Sequence, residues 1–362
     1  MTVSSPVGKV HAMRNFFDLT IEELESAIGA LGKEKFRARQ LYKWVYNKGI
    51  LDFDAMTNIS KSLRLVFREM FSLVLPDIKD VLHSSDGTIK FGFAASDGLV
   101  MESVLIPEKD RNTLCISSQI GCRMGCKFCV TGKIGFIRNL SAAEIVGQIM
   151  AAKRYLGEQR ITNIVFMGMG EPVDNLETLV RALEIIKHPL GLDFSHRRIT
   201  VSSVGLLDGL RTVGPKVAGL AISLNAADDA KRTYLMPINR LYPIRDIISF
   251  VRAFKGSKRT RVTFEYVLIK DFNDSLTDAQ QLADLLMGVK CKVNLIPFNE
   301  SSHIPFKAPY KGSVEQFHQY LLERHFTAIV RDSRGPDIGG ACGQLGARYL
   351  GTLEEHKSGL NI

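Results

Sequence analysis

Apolar positions recur at helical spacing in the first fifth of the chain and change to strand–helix alternation from about residue 112. Thr20-Ile-Glu-Glu-Leu-Glu-Ser-Ala-Ile28 opens on a capping Thr with a Glu three residues on, then repeats its apolar residues once per turn. Phe36–Tyr46 reads as a second helix, with Phe36, Leu41, Trp44 and Val45 as its buried positions and Lys33, Lys35, Arg37, Arg39 and Lys43 around it. The segment to about Leu75 is therefore expected to be helical. Three β-like runs follow, Ile78–Leu82, Thr88–Ala94 and Leu99–Ile106, broken by the turn signals Ser84-Ser-Asp-Gly87 and Ser96-Asp-Gly98. They read as an antiparallel meander, with Glu102 on its last strand as an ordinary outward carboxylate.

Beyond residue 112 the expected strands are Thr113–Ser118, Thr162–Met167, Arg198–Ser203, Val217–Leu224, Arg261–Leu268 and Lys292–Pro297. Helical patterns lie between them at Ser141–Tyr155, Asn175–Lys187, Ile244–Phe254, Thr277–Leu286 and Val314–Arg324, with room for only a short helix at Leu206–Val213. Short apolar strands followed by amphipathic helices imply a parallel sheet covered by helices. Six units give an α/β fold of the partial (β/α)6, TIM-like kind, with ligands beyond the carboxyl ends of the strands. A last strand-like run, Phe326–Arg331, leads into the Gly-rich polar stretch Asp332–Gly340 and then Cys342, which reads as a mobile loop. The expected divisions are a small helical domain over 1–77, a β linker over 78–107, the barrel over 108–337 and a terminal loop and tail over 338–362.

Charge sharpens this picture only slightly. A net charge of +9 and a pI of about 9.2 attract polyanions, nucleic acid among them, but many basic proteins bind none. The basic residues around Phe36–Tyr46 are either a solvated helix face or a phosphate-tracking surface. No apolar run reaches membrane-spanning length, and Met1–Val10 lacks the apolar core of a secretory signal. A cytoplasmic protein is expected, where six cysteines point to metal binding or catalysis before structural disulfides.

Cys122, Cys126 and Cys129 follow the first barrel strand with Cys-x3-Cys-x2-Cys spacing. Three thiolates on one short loop can hold a four-iron four-sulfur (4Fe-4S) cluster, leaving one iron open for a ligand. Structural zinc wants four ligands in two close pairs, and no second pair is present; Cys115, on the strand before, is the nearest fourth thiol. Cys115 alone reads as apolar filler, Cys342 as a thiol on a flexible loop, and Cys291 as core.

That spacing, with an aromatic before the last Cys, resembles the radical S-adenosylmethionine (SAM) enzymes. The wider set of segments is similar to the RlmN family of RNA methyltransferases from about residue 15 to 350. These segments are Met101-Glu-Ser-Val-Leu-Ile-Pro107, Leu114–Cys122, Gly168-Met-Gly-Glu-Pro172, Met236-Pro-Ile-Asn239, Cys291–Asn299 and Ala341-Cys-Gly-Gln-Leu345. The Cfr-type methyltransferases share most of them.

The resemblance implies a radical SAM barrel, one 4Fe-4S cluster on Cys122, Cys126 and Cys129, and two SAM molecules per turnover. It implies methylation of carbon 2 of an adenine in 23S rRNA and of the adenine 3′ to the anticodon in tRNA. Cys342 takes the part of methyl carrier, Cys115 of the thiol that resolves the product through a transient disulfide, and Glu102 of the base that removes the ring proton. SAM contacts fall on Gly170, Glu171, Ser202 (or its neighbour Ser203), Ser223, Leu224, Asn225 and Asn299. Asn225 stands where the family has His, which puts any imidazole contact in doubt. A flavodoxin or ferredoxin is expected as electron donor, the chain as a monomer, and no membrane partner. Methylation at carbon 8, as in Cfr, and a non-catalytic zinc-containing RNA-binding module are the alternative readings.

Overall fold

The structure, a computed structural model, describes residues 13–255 and 261–359; the Met1–Val10 stretch read for a leader lies outside them. One sheet of ten strands carries the fold. Its strands are β1 (Asp77–His83), β2 (Ile89–Ala94), β3 (Val100–Glu108), β4 (Arg111–Cys115), β5 (Asn163–Phe166), β6 (Ile199–Ser203), β7 (Gly219–Ser223), β8 (Arg261–Leu268), β9 (Cys291–Pro297) and β10 (Ala328–Val330). Order in the sheet is order in the chain. The first four strands form the antiparallel meander, and β4 to β10 run parallel.

Each parallel step needs a crossover, and helices supply it: Ala142–Leu156, Leu176–Lys187, Leu207–Val213, Ile244–Ala253, Leu276–Leu286 and Lys311–Glu323. Ser141 and Glu144 form the capping box that the sequence announces, as do Thr20 and Glu23. The sheet stays open: β3 occupies the outer edge of β4, and no strand pairs with the outer edge of β10 among the described residues. The six units expected from the sequence are present, the last strand-like run adding β10. The first strand ends at Cys115 rather than Ser118, because Gln119–Gly121 leaves the sheet to pair with Phe136–Asn139.

The amino-terminal region is helical, with Ile21–Gly29, Phe36–Tyr42 and Lys61–Met70. Its second helix buries a different face from the one expected. Leu41 and Val45 are buried, but Phe36 is exposed and Trp44 only half-buried. A π-helical turn over Lys43–Asn47 widens the helix there and helps aim Tyr42 and Tyr46 inward, their rings 4.6 Å apart against Phe16. Phe36 instead lies under the Arg37 guanidinium and Trp44 under the Lys48 ammonium. Asp18 ties this region to the barrel, its carboxylate accepting the Ala143 N–H at 2.7 Å in the first turn of Ala142–Leu156. No helix among the described residues is long and apolar enough to cross a membrane.

Gly121, which leads into the cysteine loop, has φ +72°, and a Cβ there would sit 1.8 Å from the Gly135 carbonyl oxygen. Gly121→Ala is expected to cost about 1–3 kcal/mol through backbone strain and overlap, read as a lower urea midpoint. Gly29→Ala, where nothing lies within 4 Å, is the control and should leave the midpoint unchanged or slightly raised.

Candidate active site

Strand alternation builds the chamber. Inward-facing residues Thr113 and Cys115 (β4), Val165 (β5), Thr200 (β6), Ala221 (β7), Thr263 and Glu265 (β8), and Asn294 and Ile296 (β9) line a cavity of about 390 Å³. Cys342, carried back from beyond β10, closes one side and shares this cavity with Cys115 and Asn299. Both thiols are held above the ordinary range by burial, and each sits in a neighbourhood of charge: Cys342 beside Glu265, Arg331 and Cys129, and Cys115 beside Cys342. Cys342 is exposed to the water of the cavity although protein surrounds it on most sides. All six cysteines are free thiols, so no disulfide joins Cys115 and Cys342 in this state.

Cys122, Cys126 and Cys129 lie on the loop after Gly121, beyond the carboxyl end of β4. Burial raises all three thiols, Cys122 to about 12. Proximity adds to this, since Cys126 feels both neighbours and Cys122 feels Cys129. Backbone N–H groups point the other way: Met124 at Cys122, and Thr131 and Gly132 at Cys129, hydrogen bonds that favour the thiolate. Three clustered thiols, one buried and two half-buried with N–H donors, suit a cluster of metal ions that takes up negative sulfur. No three His, Cys, Asp or Glu side chains among the described residues converge closely enough to wrap a single metal ion. Two hydrogen bonds join this loop to the Cys342 segment, Val130 N–H to the Gly343 carbonyl at 2.8 Å and Thr131 Oγ1 to the Leu345 carbonyl at 2.7 Å.

The residues expected to contact SAM cluster at the same rim. Gly170 has φ +95° and a Cβ there would meet Gln119 at 2.5 Å, so only glycine fits; among the described residues no group bonds its own N–H or carbonyl. The Glu171 carboxylate is buried and pushed up to about 7, while Val204 N–H, Ser203 and Val173 N–H donate to it. Ser203 is fully enclosed and also accepts from Gly205 and Leu206. Ser202 lies on the opposite face, the one Thr200 shows to the cavity, and is half-buried with no partner on its hydroxyl among the described residues. The same holds for Ser223, two residues after Ala221. Leu224 has its side chain buried, its N–H donates to the Glu265 carbonyl at 2.9 Å and its carbonyl accepts from Arg232.

Asn225 answers to the backbone. Its φ is +60°, which Asn tolerates better than most residues, and its side chain donates to Met236 Sδ and accepts the Val267 N–H at 2.8 Å. Asn299 donates to the Cys342 carbonyl at 3.2 Å and bonds Ser333.

Glu102 is not the outward carboxylate expected from alternation. It is 1% exposed, ion-paired with Lys90 Nζ at 3.0 Å, and accepts the Gly346 N–H at 2.7 Å through its other oxygen. It does not line the cavity.

Sequence reasoning passed over three groups. Lys90 is one. Arg232 is another, fully buried, donating to the carbonyls of Val204, Ser223, Leu224 and Tyr242 and to Asn239 Oδ1. It draws the ends of β6 and β7 together and explains Met236-Pro-Ile-Asn239, since Asn239 also binds Asp229 and Thr233. The third is Glu265, inside the cavity and bonded by Asn294 Nδ2 at 2.9 Å; an acidic residue in the apolar run of β8 was its only signal.

Residues 14–73 match the family model described as the ribosomal RNA large subunit methyltransferase N-terminal domain, and residues 116–284 match the radical SAM superfamily. A dual-specificity RNA methyltransferase RlmN from Geotalea uraniireducens is 48% identical over 337 residues, covering 93% of this chain and 96% of the relative. Its counterpart from Geobacter sulfurreducens is 47% identical over 347 residues, 95% of each. The fold superimposes on the crystal structure of a radical SAM methyltransferase from Sphaerobacter thermophilus with a TM-score of 0.87 and 44% identity, over 92% of this chain and 99% of that one.

Burial pushes Glu265 from 4.5 up to about 7, against the opposing effects of Asn294 and Arg331. A carboxyl that binds its proton more tightly when folded contributes stability below about 4.5 that is lost as pH rises past about 7. Glu265→Gln lacks this loss. Its melting temperature is expected to gain on the wild type between about pH 5 and about pH 8, by an amount equivalent to at most about 3 kcal/mol. Thermal unfolding at several pH values checks it.

Proposed function

The chain belongs to the RlmN family of dual-specificity RNA methyltransferases, and we propose from that membership and from the site that it methylates carbon 2 of adenine in two RNAs. The targets are an adenine in the peptidyl-transferase loop of 23S rRNA and the adenine 3′ to the anticodon in tRNA. The observation that carries the reading is one cavity on the inner face of the parallel strands, shared by Cys115 and Cys342, with two hydrogen bonds tying the Cys342 segment to the end of the three-cysteine loop.

Adenine carbon 2 lies between two ring nitrogens and is too electron-poor to attack an electrophilic methyl group. When bound, a 4Fe-4S cluster and two SAM molecules supply a methyl group and a 5′-deoxyadenosyl radical. Cys122, Cys126 and Cys129 would hold the cluster. Gly170, Glu171, Ser202, Ser223, Leu224, Asn225 and Asn299 would form the SAM pocket; Ser202 and Ser223 offer their hydroxyls, Leu224 fixes the rim through its bonds to Glu265 and Arg232, and Glu171 and Asn225 keep the pocket in shape through Val204 and Val267. Cys342 as a thiolate takes a methyl group by displacement and carries it. Passing one hydrogen atom to the 5′-deoxyadenosyl radical would leave a carbon radical on the Cys342 sulfur that joins carbon 2 of adenine, and the unpaired electron would leave to the one-electron carrier. Cys115 then attacks that sulfur and frees the base, leaving a disulfide for reduction. Glu102 would accept the ring proton on a remaining lone pair of its carboxylate, with its bonds to Lys90 and Gly346 kept.

Lys33 and Lys35 just before Phe36–Tyr42, Arg39 within it and Lys43 after it stand exposed, Arg39 paired with Glu25, and they suit RNA phosphates. The target base leaves its stack to enter the cavity. A flavodoxin or ferredoxin supplies the electron, and the chain works as a monomer in the cytoplasm.

With Cys342→Ala, mass spectrometry of RNA nucleosides is expected to find no 2-methyladenosine; retained product would remove the carrier role. Cys115→Ala is expected to accumulate protein covalently joined to RNA, seen as a nuclease-sensitive band shift in a denaturing gel. Clean release of methylated RNA would refute its role in resolution.

A further inference from the structure

Residues 335–346 run back to the turn between β1 and β2 and to Lys90 and Glu102, and their grip there is specific. Asp86 accepts the Gly335 N–H at 3.0 Å, and the Asp337 carboxylate accepts from Ser84 Oγ at 2.6 Å and the Ser85 N–H at 3.2 Å. The stretch expected to be a mobile loop is therefore anchored along much of its length. Its two ends close on one ion pair. Lys90 Nζ, 4% exposed, donates to the Gly339 carbonyl at 3.2 Å while paired with Glu102, and Glu102 accepts the Gly346 N–H. Gly339 and Gly346 have φ of +62° and +90°, so each stem turns where its backbone meets the pair. Cys342 lies between these stems, its thiol facing the cavity and its carbonyl held by Asn299.

We propose that Lys90 is a positioning residue for Cys342: with Glu102 it forms a latch that pins both stems of the loop and fixes the thiol inside the cavity shared with Cys115. The proposal rests on Cys342 as the methyl carrier. An apolar pair at positions 90 and 102 would pack β2 against β3 at least as well, because desolvating two ions offsets most of their attraction. What the charges add is a donor for one stem and an acceptor for the other. Removing the ammonium leaves Gly339 without its donor and the Glu102 carboxylate without its counter-ion, so both stems loosen although only one of them touches Lys90.

The test compares full-length wild type with Lys90→Met and Lys90→Gln by hydrogen–deuterium exchange and by steady-state methylation of RNA. Amides of residues 339–346 are expected to exchange at least about tenfold faster in both variants, with β6 to β8 unchanged. The turnover number is expected to fall about tenfold or more while KM for RNA holds, a split that general destabilisation does not produce. Unchanged loop exchange overturns the latch, as does a loosened loop with full turnover. If neither single variant folds, the double variant Lys90→Met/Glu102→Leu removes the pair as a unit, and a loop still protected there overturns the proposal. Exchange does not depend on what Cys342 carries. A failed carrier role is thus seen separately, as retained activity in Cys342→Ala.

Discussion

An ammonium and a carboxylate buried together leave little choice about their surroundings. Each costs several kcal/mol to take out of water, and only the partner ion and further hydrogen bonds return it. Lys90 and Glu102 meet that demand with two backbone groups from a segment about 240 residues away in the chain. The segment in turn lines the cavity with Gly340, Ala341, Cys342 and Leu345, which sets Cys342 in the same chamber as Cys115.

Around the rest of the rim, order comes from the backbone itself. Seven parallel strands end together, and period-two alternation sends one face of each into the chamber. That is why Ser202 and Ser223 stand open while Ser203, one residue away, is spent on Glu171 and the Gly205 turn. Arg232 fixes the spacing between two of these ends by binding their carbonyls, where a longer loop would have left them free to spread.

Much of this was legible in the chain. Strand–helix alternation gave the parallel sheet, the capping box set the start of Ala142–Leu156, and the cysteine spacing placed the loop at the strand ends. What stayed hidden depended on pairing between distant segments. Lys90 sits in Ile89-Lys-Phe-Gly-Phe-Ala94 and Glu102 in Val100-Met-Glu-Ser-Val-Leu, each a lone charge in an apolar run. Only the hairpin register, with Lys90 opposite Val104 and Gly92 opposite Glu102, makes them diagonal neighbours. The exposed Phe36 was missed for a local reason, since a π-helical turn cannot be read from apolar spacing that assumes 3.6 residues per turn.

Because neighbours in the sheet are neighbours in sequence, each strand can add to an edge that is already in place as the polypeptide emerges from the ribosome. The final segment is the exception, since it must travel back to the earliest strands. A nascent or truncated chain would thus own its cysteine loop and most of its rim but lack Cys342, and its Lys90–Glu102 pair would be missing both of its backbone partners.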